Sequence, residues 1–574
     1  MNAVAVSSIV ASGRVEIANT RRQALTMAKW RLVWVAAGFA AIAVIAVLRV
    51  LYLGLVEGSP ANAAAYGMTP PRGDIVDRNG VPLARAFPAY ALWYNPAALG
   101  DDGAPLVRSP NEVAIALNRI FPEMDVAEAT ARLASGRPGY LRRRILPEDA
   151  NKIHALGEPA LEFPRETERF YPQGSLAAHV LGFVGADGRG HVGMEGVFDK
   201  RLTDPATRGT PAMLSLDSRV QGALEDELLK GIADTNAKGA AGLVLDVETG
   251  EVLALASLPS FNPNLIDNAG AGNIFNRVTN QVYELGSTFK PITVAAAIDA
   301  GTVTSMARRY QSERPLEIGG FRIRDLHSYG ASMNVPETLI HSSNIVTAQI
   351  ADELGGARLN ATMRSLGMNE RPYLELPARG VPIWPKGDWS RITTMTVSYG
   401  HGIAVTPLHL ATAYAALVNG GIWRPATLKK LGAGEVPEGR RVFKASTSAR
   451  MRQLLRMIVV DGTGKKADAV GYRVGGKTGS AEKPGVGGYR RSSLVSTFAA
   501  AFPMDRPRYV IIAMLDEPQG TAATSGQRTA GWNAAPIVGR VVPRIGPLLG
   551  IMPDPTRDVD ITDLSPLVAS GEGE

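Results

Sequence analysis

Residues 283–301 read YELGSTFKPITVAAAIDAG, and this stretch carries the most informative pattern in the chain. Ser287 stands three residues before Lys290, and the apolar residues that follow, ended by Gly301, predict a helix that begins near Ser287. A spacing of three places both side chains on one helix face. A buried lysine can be kept neutral by desolvation and can then accept the proton of a serine hydroxyl. The pattern predicts a nucleophilic serine with a lysine base.

The same Ser-x-x-Lys spacing recurs at Ser480 and Lys483, so the spacing does not identify a nucleophile by itself. The second match follows a segment of strand character and has no helical apolar pattern, and we interpret it as a chance match. For Ser287 and Lys290 the competing interpretation is an ordinary helix N-cap and a surface lysine. Two further motifs bear on this choice.

The first is a Ser-x-Asn motif, Ser342-Ser343-Asn344, in the stretch HSSNIVTAQIADELGG. It stands just before a helical apolar pattern that includes Ile345 and Ala348. Ser342 can relay a proton and Asn344 can hold a substrate amide. The spacing occurs elsewhere in the chain, so this motif is also weak when taken alone.

The second is a Lys-Thr-Gly motif, Lys477-Thr478-Gly479, in YRVGGKTGSA, which has the character of a strand. Lys477 supplies positive charge to a carboxylate and Thr478 can hydrogen-bond it. Gly479 lets a substrate backbone approach the strand edge. Because three motifs with related chemistry follow one another in the chain, we favour the catalytic interpretation of Ser287.

In this order the three motifs resemble those of penicillin-binding proteins and serine β-lactamases. RGDIVDRNG at 72–80 and GHVGMEGVFDKRL at 190–202 resemble the non-catalytic pedestal of class B penicillin-binding proteins, and residues 398–421 resemble the segment between their second and third motifs. Similarity in VYELGSTFKPIT, in LRVLYLGL and from KTGSAEK to LDEPQG favours a division-type member. An elongation-type member is the alternative.

The resemblance implies an α+β fold with a single N-terminal transmembrane helix, a mixed α/β pedestal, and a transpeptidase domain whose mainly antiparallel sheet is flanked by helices. It implies a peptidoglycan D,D-transpeptidase that β-lactams inhibit and that uses no cofactor. A multi-spanning lipid II polymerase and other division membrane proteins are the implied partners. The implied site residues are Ser287 as nucleophile, Lys290 as base, Ser342, Asn344 and Lys477 as catalytic groups, and Thr478, Gly479 and Ser480 as substrate-binding groups, with an oxyanion hole formed by the N–H groups of Ser287 and Ser480.

The N-terminal region contains a segment long enough to cross a bilayer. Residues 32–48 carry no charge, and the apolar character resumes after Arg49 through residue 56. Basic residues outnumber acidic ones before this segment, which predicts a cytoplasmic N-terminus and an exported remainder. A signal peptide cleaved near Ala63 is the alternative. Arg49 either snorkels to the interface or meets a polar partner within the membrane.

Composition excludes several other classes of function. The chain has 574 residues, no cysteine and a formal net charge of +7, but its basic residues are scattered and form no nucleic-acid-binding tract. Its seven histidines show no metal-ligand spacing, so we expect no metal site.

The patterns predict five regions: a cytoplasmic segment at 1–31, a membrane anchor at 32–56, a pedestal at 57–214, a transpeptidase domain at 215–560 and a flexible tail at 561–574. Asn79-Gly80 predicts a hairpin turn, and Asp217 precedes a helix pattern with apolar residues spaced by four. Apolar runs at 241–247 and 251–257 and three more after residue 471 predict a sheet assembled from both ends of the catalytic domain.

Three other functions compete with transpeptidation. A β-lactamase needs a base that activates a deacylating water, and no glutamate fits that role in the sequence. A β-lactam sensor needs a larger cytoplasmic part than about 31 residues. A purely structural scaffold does not need all three motifs. No glycosyltransferase module precedes the pedestal, which argues against a bifunctional class A protein.

Overall fold

The computed structural model describes residues 27, 29–47, 72–98, 106–185, 187–268, 270–485 and 488–568. The chain divides into two compact units, one of Met1–Thr69 and Pro88–Glu166 and the other of Pro70–Phe87 and Thr167–Glu574. The expected boundary near residue 214 lies inside the second unit, so the division into pedestal and catalytic domain stays a prediction.

One helix in the described part of the chain is long and apolar enough to cross a membrane. It covers Lys29–Val47, has 19 residues and a mean hydropathy of 2.0. At 1.5 Å per residue it is about 28 Å long, close to the ~30 Å hydrocarbon layer. The rest of the predicted anchor, including Arg49, lies outside the described residues.

The first unit contains a small α/β layer. Residues 88–94, the second half of the strand Pro82–Tyr94, pair antiparallel with the strands Gly139–Ile145 and Leu161–Glu162. Side chains from the helices and from these strands form one apolar core, which includes Leu92, Leu117 and Leu133. The helices are Pro110–Ile120, Val126–Ala134 and Pro147–His154.

The second unit begins with the hairpin that Asn79-Gly80 predicts. The strand Ile75–Val76 pairs antiparallel with the start of Pro82–Tyr94 and parallel with Ala212–Met213, and Gly80 has a φ of +83° in the turn. These pairings explain why residues 72–87 and 212–213 belong to one unit. The other elements here are the strand Arg165–Phe170 from Thr167 onward, the strands Phe183–Val184 and Gly190–Val192, and the helices Ala178–Leu181, Gly193–Val197 and Asp199–Thr203.

A buried carboxylate between two arginines holds this region together. Glu195 is fully buried and accepts hydrogen bonds from Arg72 at 2.9 Å and from Arg169 at 2.5 Å. Arg72 also contacts Asp199 at 2.6 Å. A buried carboxylate is tolerated only when it is paired in this way, so the arginine at the start of RGDIVDRNG has a structural role.

A five-stranded antiparallel sheet forms the centre of the second unit. Its strands are β1 Gly239–Asp246, β2 Val252–Leu258, β3 Gly475–Gly485, β4 Gly488–Phe502 and β5 Tyr509–Asp516, and their order is β2-β1-β5-β4-β3. Strands β1, β2 and β5 are buried along their whole length, which accounts for their continuous apolar sequences. The prediction of a sheet assembled from both ends of the domain is confirmed, and β3 is an edge strand.

Seven helices of this unit bear on the site or cover the sheet. They are α1 Ser218–Thr235, α2 Lys290–Asp299, α3 Val335–Ile340, α4 Asn344–Leu354, α5 Pro407–Val418, α6 Ala445–Val460 and α7 Ala534–Ile545. The predicted helix after Asp217 is α1, and its apolar stripe packs in one core with α7 and the sheet. A second, larger core holds residues of α2–α6 and the other sheet face.

Further strands and helical segments complete this unit. The paired strands are Tyr310–Gln311 with Ser332–Met333, Leu316–Ile318 with Phe321–Ile323, and Ile422–Trp423 with Arg440–Arg441. The remaining helical segments are Pro263–Asn268, Ala271–Ile274, Gly286–Phe289, Gly356–Ser365, Arg391–Ser398, Lys465–Ala467, Ala522–Thr524, Pro547–Leu549 and Ser565–Leu567.

The C-terminal segment differs from the expected flexible tail. Leu564 is buried in the larger core, and Asp563 pairs with Arg450 of α6 at 2.5 Å. The chain through residue 568 is therefore packed, because apolar residues between acidic ones anchor it on α6. The last six residues lie outside the described part.

Candidate active site

Ser287 lies in a 3-10 turn, Gly286–Phe289, that leads directly into α2 at Lys290. The helix was expected to begin near Ser287, and the tighter turn accounts for the difference of three residues. Gly286 has a φ of +56°, a conformation that favours glycine. Tyr414 of α5 donates a hydrogen bond of 2.8 Å to the carbonyl of Thr288, which fixes the turn from the inside.

Lys290 is fully buried, and its Nζ donates hydrogen bonds to the carbonyl of Ser342 and, at 3.1 Å, to Ser342 Oγ. Burial lowers the pKa of Lys290 to about 7, although the charge of Asp325 opposes this shift. The surface-lysine alternative is therefore wrong. In the described contacts the lysine bonds to Ser342, whereas the sequence suggested direct pairing with Ser287.

Ser342 adopts a left-handed conformation, with a φ of +60°, in the turn before α4. Ser343 is the N-cap of α4, and Asn344 is its first residue. The side chain of Asn344 donates to the carbonyl of Arg324 at 3.1 Å. The turn thus brings Ser342 to Lys290 while Asn344 opens the helix beside it.

Asp325 organises this turn and was missed by sequence reasoning. Its carboxylate accepts hydrogen bonds from Ser343 Oγ at 2.6 Å and from the backbone N–H groups of Asn344 at 2.5 Å and Ile345 at 3.1 Å. A carboxylate at a helix N-terminus satisfies unpaired N–H groups and complements the helix dipole. No fixed spacing links Asp325 to the Ser-x-Asn motif, so the sequence gives no signal for this contact.

The Lys-Thr-Gly motif lies on β3, as predicted. Lys477 is fully buried, and its Nζ donates to the carbonyl of Thr478 at 3.2 Å and to Thr478 Oγ1 at 3.3 Å. Thr463 and Thr478 share a hydroxyl hydrogen bond of 2.8 Å. Burial lowers the pKa of Lys477 well below its usual value, and the charge of Lys290 lowers it further.

Gly479 is required by the turn that carries Ser287. A Cβ at Gly479 would lie 2.4 Å from the carbonyl oxygen of Leu285 and 2.7 Å from Thr288 Cγ2. A Cβ at Gly286 would lie 3.2 Å from the carbonyl oxygen of Ser480. The sequence predicted that Gly479 makes room for a substrate backbone. In the structure, the atoms that come closest to Gly479 belong to the chain's own turn, at Leu285 and Thr288.

The second Ser-x-x-Lys match is not assembled as a site. Ser480 Oγ accepts a hydrogen bond of 3.0 Å from the N–H of Ala530. Lys483 instead pairs with Asp516 and, at 3.1 Å, with Glu517. These contacts agree with the interpretation of a chance match.

Taken together, the structure brings the predicted residues of all three motifs to one place, where the 3-10 turn, the turn before α4 and the edge strand β3 meet. The arrangement supplies a half-buried serine, a buried lysine that can be neutral near pH 7, and a strand with a lysine and a threonine. This chemistry suits acyl transfer through a seryl ester. Among the described residues, no group of three or more His, Asp or Glu could hold a metal ion.

Comparison with protein families identifies the class. Residues 240–541 match the penicillin binding protein transpeptidase domain, and residues 67–203 match the penicillin-binding protein dimerisation domain. The first match covers more than half of the 574 residues. The chain therefore belongs to the penicillin-binding protein transpeptidase family, and its predicted fold class is confirmed.

Individual relatives narrow the similarity. The probable peptidoglycan D,D-transpeptidase FtsI of Caulobacter vibrioides is 41% identical over 497 residues, 85% of this chain and 83% of the relative. The peptidoglycan D,D-transpeptidase FtsI of Escherichia coli K12 is 30% identical over 545 residues, 90% of each chain. Penicillin binding protein 3 of Mycobacterium tuberculosis, complexed with aztreonam, has a TM-score of 0.65 at 26% identity and covers 86% of this chain and 99% of its own.

Proposed function

We propose that this chain is a membrane-anchored serine D,D-transpeptidase that cross-links peptidoglycan stem peptides through an acyl-enzyme and is inhibited by β-lactams. The observation that carries the proposal is the buried Lys290, hydrogen-bonded to Ser342 and one helical turn from Ser287, next to the Lys-Thr-Gly strand. Family membership and the FtsI relatives support the same reaction.

In the first step, Ser287 Oγ attacks the carbonyl carbon of the penultimate D-Ala of a donor stem peptide. Its proton passes to neutral Lys290, directly or through Ser342, whose hydroxyl already accepts from Nζ. The N–H groups of Ser287 and Ser480 hold the oxyanion. When the tetrahedral intermediate collapses, the amide bond breaks and the terminal D-Ala leaves with the proton from Lys290.

In the second step, the amine of a neighbouring stem peptide attacks the seryl ester. Lys290, again neutral, removes a proton from the attacking nitrogen, and Ser287 leaves and regains its proton. The product is a new peptide bond and free enzyme. A β-lactam follows the first step only, because its leaving group remains attached to the adduct.

The groups on β3 and α4 bind the donor in this scheme. Lys477 and Thr478 bind its terminal carboxylate, and Asn344 holds a peptide amide. Burial favours neutral Lys477 in the empty site, but an arriving carboxylate favours the charged form.

We assign the chain to septal synthesis, supported by its similarity to the two FtsI transpeptidases. The helix Lys29–Val47 overlaps the anchor at 32–56. In this proposal the N-terminus lies in the cytoplasm and the catalytic domain at 215–560 lies on the periplasmic side. The pedestal and the anchor contact a multi-spanning polymerase. A functional fluorescent fusion tests the role: midcell placement supports division, and placement along the sidewall means elongation.

Labelling of the full chain with a fluorescent penicillin tests the nucleophile. Ser287→Ala should abolish the covalent adduct, whereas Ser480→Ala should only slow its formation, because the backbone N–H remains. Peptide mass spectrometry locates the adduct. A label on Ser480, or full labelling of Ser287→Ala, refutes the mechanism.

Two assays separate the competing functions. Rapid turnover of a chromogenic β-lactam would identify a β-lactamase. A cross-linking assay with stem peptides should yield dimers, and acylation without any dimers would favour a sensor or a scaffold.

A further inference from the structure

A carboxylate three residues before the nucleophile joins two other segments of the site. Glu284 accepts hydrogen bonds from the hydroxyl of Tyr489, at 3.1 Å to Oε1 and 2.9 Å to Oε2, and from the N–H of Gly402 at 3.1 Å. Tyr489 lies near the start of β4, opposite Pro484 of β3. The far end of the β3–β4 hairpin is thus tied to the segment that carries Ser287.

This part of the hairpin extends beyond the main sheet. Strand β4 pairs with β5 over Val495–Phe502, whereas its earlier residues pair with the end of β3. The register of β3 and β4 shifts between Glu482 and Lys483, at the base of the extension. A two-stranded extension is weakly stable by itself, so side-chain contacts should decide its position.

The same hairpin already touches the nucleophile's turn at its base. There the backbones approach so closely that Gly479 leaves no room for a side chain, and a Cβ at Gly286 would make a tight contact with the carbonyl oxygen of Ser480. At about 3.3 Å per residue, Pro484 lies roughly 13 Å along β3 from Ser480. The contact between Tyr489 and Glu284 is therefore a second attachment between the hairpin and the segment that carries Ser287. Two separated attachments fix the angle between hairpin and segment, which one attachment alone would leave free.

Aromatic packing supports the second attachment. The ring of His401 meets Tyr489 edge-on, with centroids 5.7 Å apart, and lies 5.3 Å from the ring of Tyr399. The loop that contains these residues is itself seated on the nucleophile's turn, since a Cβ at Gly400 would lie 2.2 Å from the carbonyl oxygen of Gly286. Burial and the charge of Lys290 lower the pKa of His401, so the ring is neutral near pH 7 and does not compete for Glu284.

We propose that Glu284 and Tyr489 are positioning residues that hold the β3–β4 hairpin at a set angle to the Ser287 segment and thereby define the cleft that receives the donor. The inference rests on the proposed transpeptidase function for its effect on the reaction, but the contact itself can be measured separately. Loss of the contact should weaken the capture of donors or β-lactams more than the chemical step, because Ser287, Lys290 and Ser342 do not depend on it.

Tyr489→Phe removes one hydroxyl and keeps the ring, and Glu284→Ala removes the acceptor. In the full chain in detergent, each variant should increase hydrogen–deuterium exchange of the hairpin amides about tenfold, the effect of losing one charge-assisted hydrogen bond. Stopped-flow acylation by a fluorescent penicillin should show a similar loss in the second-order rate constant, with a smaller change in the rate at saturation. Glu284→Gln keeps an acceptor oxygen and should recover most of both.

Tyr509→Phe is the matched control. It removes a hydroxyl that donates to the carbonyl of Leu549. Tyr509 is at the end of β5 far from the hairpin extension, so the change should leave hairpin exchange and acylation unchanged. The double variant Glu284→Ala/Tyr489→Phe should be no worse than Glu284→Ala alone, since that change already removes the contact with Tyr489 as well as the bond from Gly402.

Wild-type exchange and acylation in Tyr489→Phe would overturn the proposal, as would additive losses in the double variant. Faster exchange with unchanged acylation would also overturn it, because the contact would then be structural only. If the wild-type protein fails to acylate, the proposed function fails, while the exchange data still decide whether the contact holds the hairpin.

Discussion

Replacement of Lys290 by arginine tests the base directly, because the change keeps a cation but removes the ability to become neutral. With a pKa of about 7, roughly half of Lys290 is neutral at pH 7. Arginine, with a pKa above ~12, is neutral in fewer than about one molecule in 10⁵. General base catalysis is typically worth ~10²–10⁴ in rate, so we expect Lys290→Arg to acylate about 10³-fold more slowly.

The assay is the second-order rate constant for acylation by a fluorescent penicillin, measured on full-length protein whose thermal unfolding is recorded in parallel. Lys483→Arg serves as the control, because Lys483 pairs with Asp516 and Glu517 and has no part in the proposed mechanism. Acylation by Lys290→Arg within tenfold of the wild-type rate, in a folded protein, would refute the assignment of the base.

The pH dependence gives a second test of the same residue. Acylation should rise with pH through about 7 as Lys290 loses its proton. The pKa is lower in the folded state than in the unfolded state, so the unfolded state binds more protons between about pH 7 and ~10.4, and stability should increase with pH across that window. Below that pH window, burying the protonated lysine costs about 5 kcal/mol. Lys290→Met should remove this part of the pH dependence, while the part that comes from Lys477, whose pKa burial also lowers, remains.

Two further substitutions test the frame of the site. Gly479→Ala places a Cβ 2.4 Å from the carbonyl oxygen of Leu285, so it should displace the turn that carries Ser287 and slow acylation about 10²-fold. Gly209→Ala is the control, because no atom lies within 4 Å of its Cβ, and it should not change the rate in the same labelling assay. Asp325→Asn should lower the free energy of unfolding by about 1–2 kcal/mol, because it weakens the cap of α4. The loss of the negative charge should also lower the pKa of Lys290 and shift the pH dependence of acylation to lower pH. An unchanged pH dependence would contradict this.

Sequence periodicity was enough to predict the main elements of the catalytic unit. Continuous apolar runs identified the buried strands, and the spacing by four after Asp217 identified α1. These patterns are local, because burial of one face or of a whole strand imposes a period on neighbouring residues. The C-terminal segment has no such pattern. Its acidic residues led to the prediction of a flexible tail, although Leu564 is buried in the core.

Some residues of the candidate site could likewise be predicted from the sequence, and others could not. The sequence pointed to the motif residues because candidate groups that are close together in the chain keep a recognisable spacing, as Ser287 and Lys290 do. Asp325, Glu284 and Tyr489 were missed because each acts across a long sequence separation, where loop lengths set no recognisable interval. Sequence also placed Lys290 on the face of Ser287 without revealing that its hydrogen bonds go to Ser342.

The two buried lysines of the site are electrostatically coupled, so binding of a donor at Lys477 should change the protonation of Lys290. The charge of Lys290 lowers the pKa of Lys477, so the empty site disfavours two protonated lysines. Electrostatic coupling is mutual, and a charged Lys477 therefore favours the neutral form of Lys290. A donor carboxylate at Lys477 stabilises its charge and should push the shared proton off Lys290. We therefore expect a larger fraction of Lys290 to be neutral when a donor is in place than in the empty site, so donor binding should favour activation of Ser287.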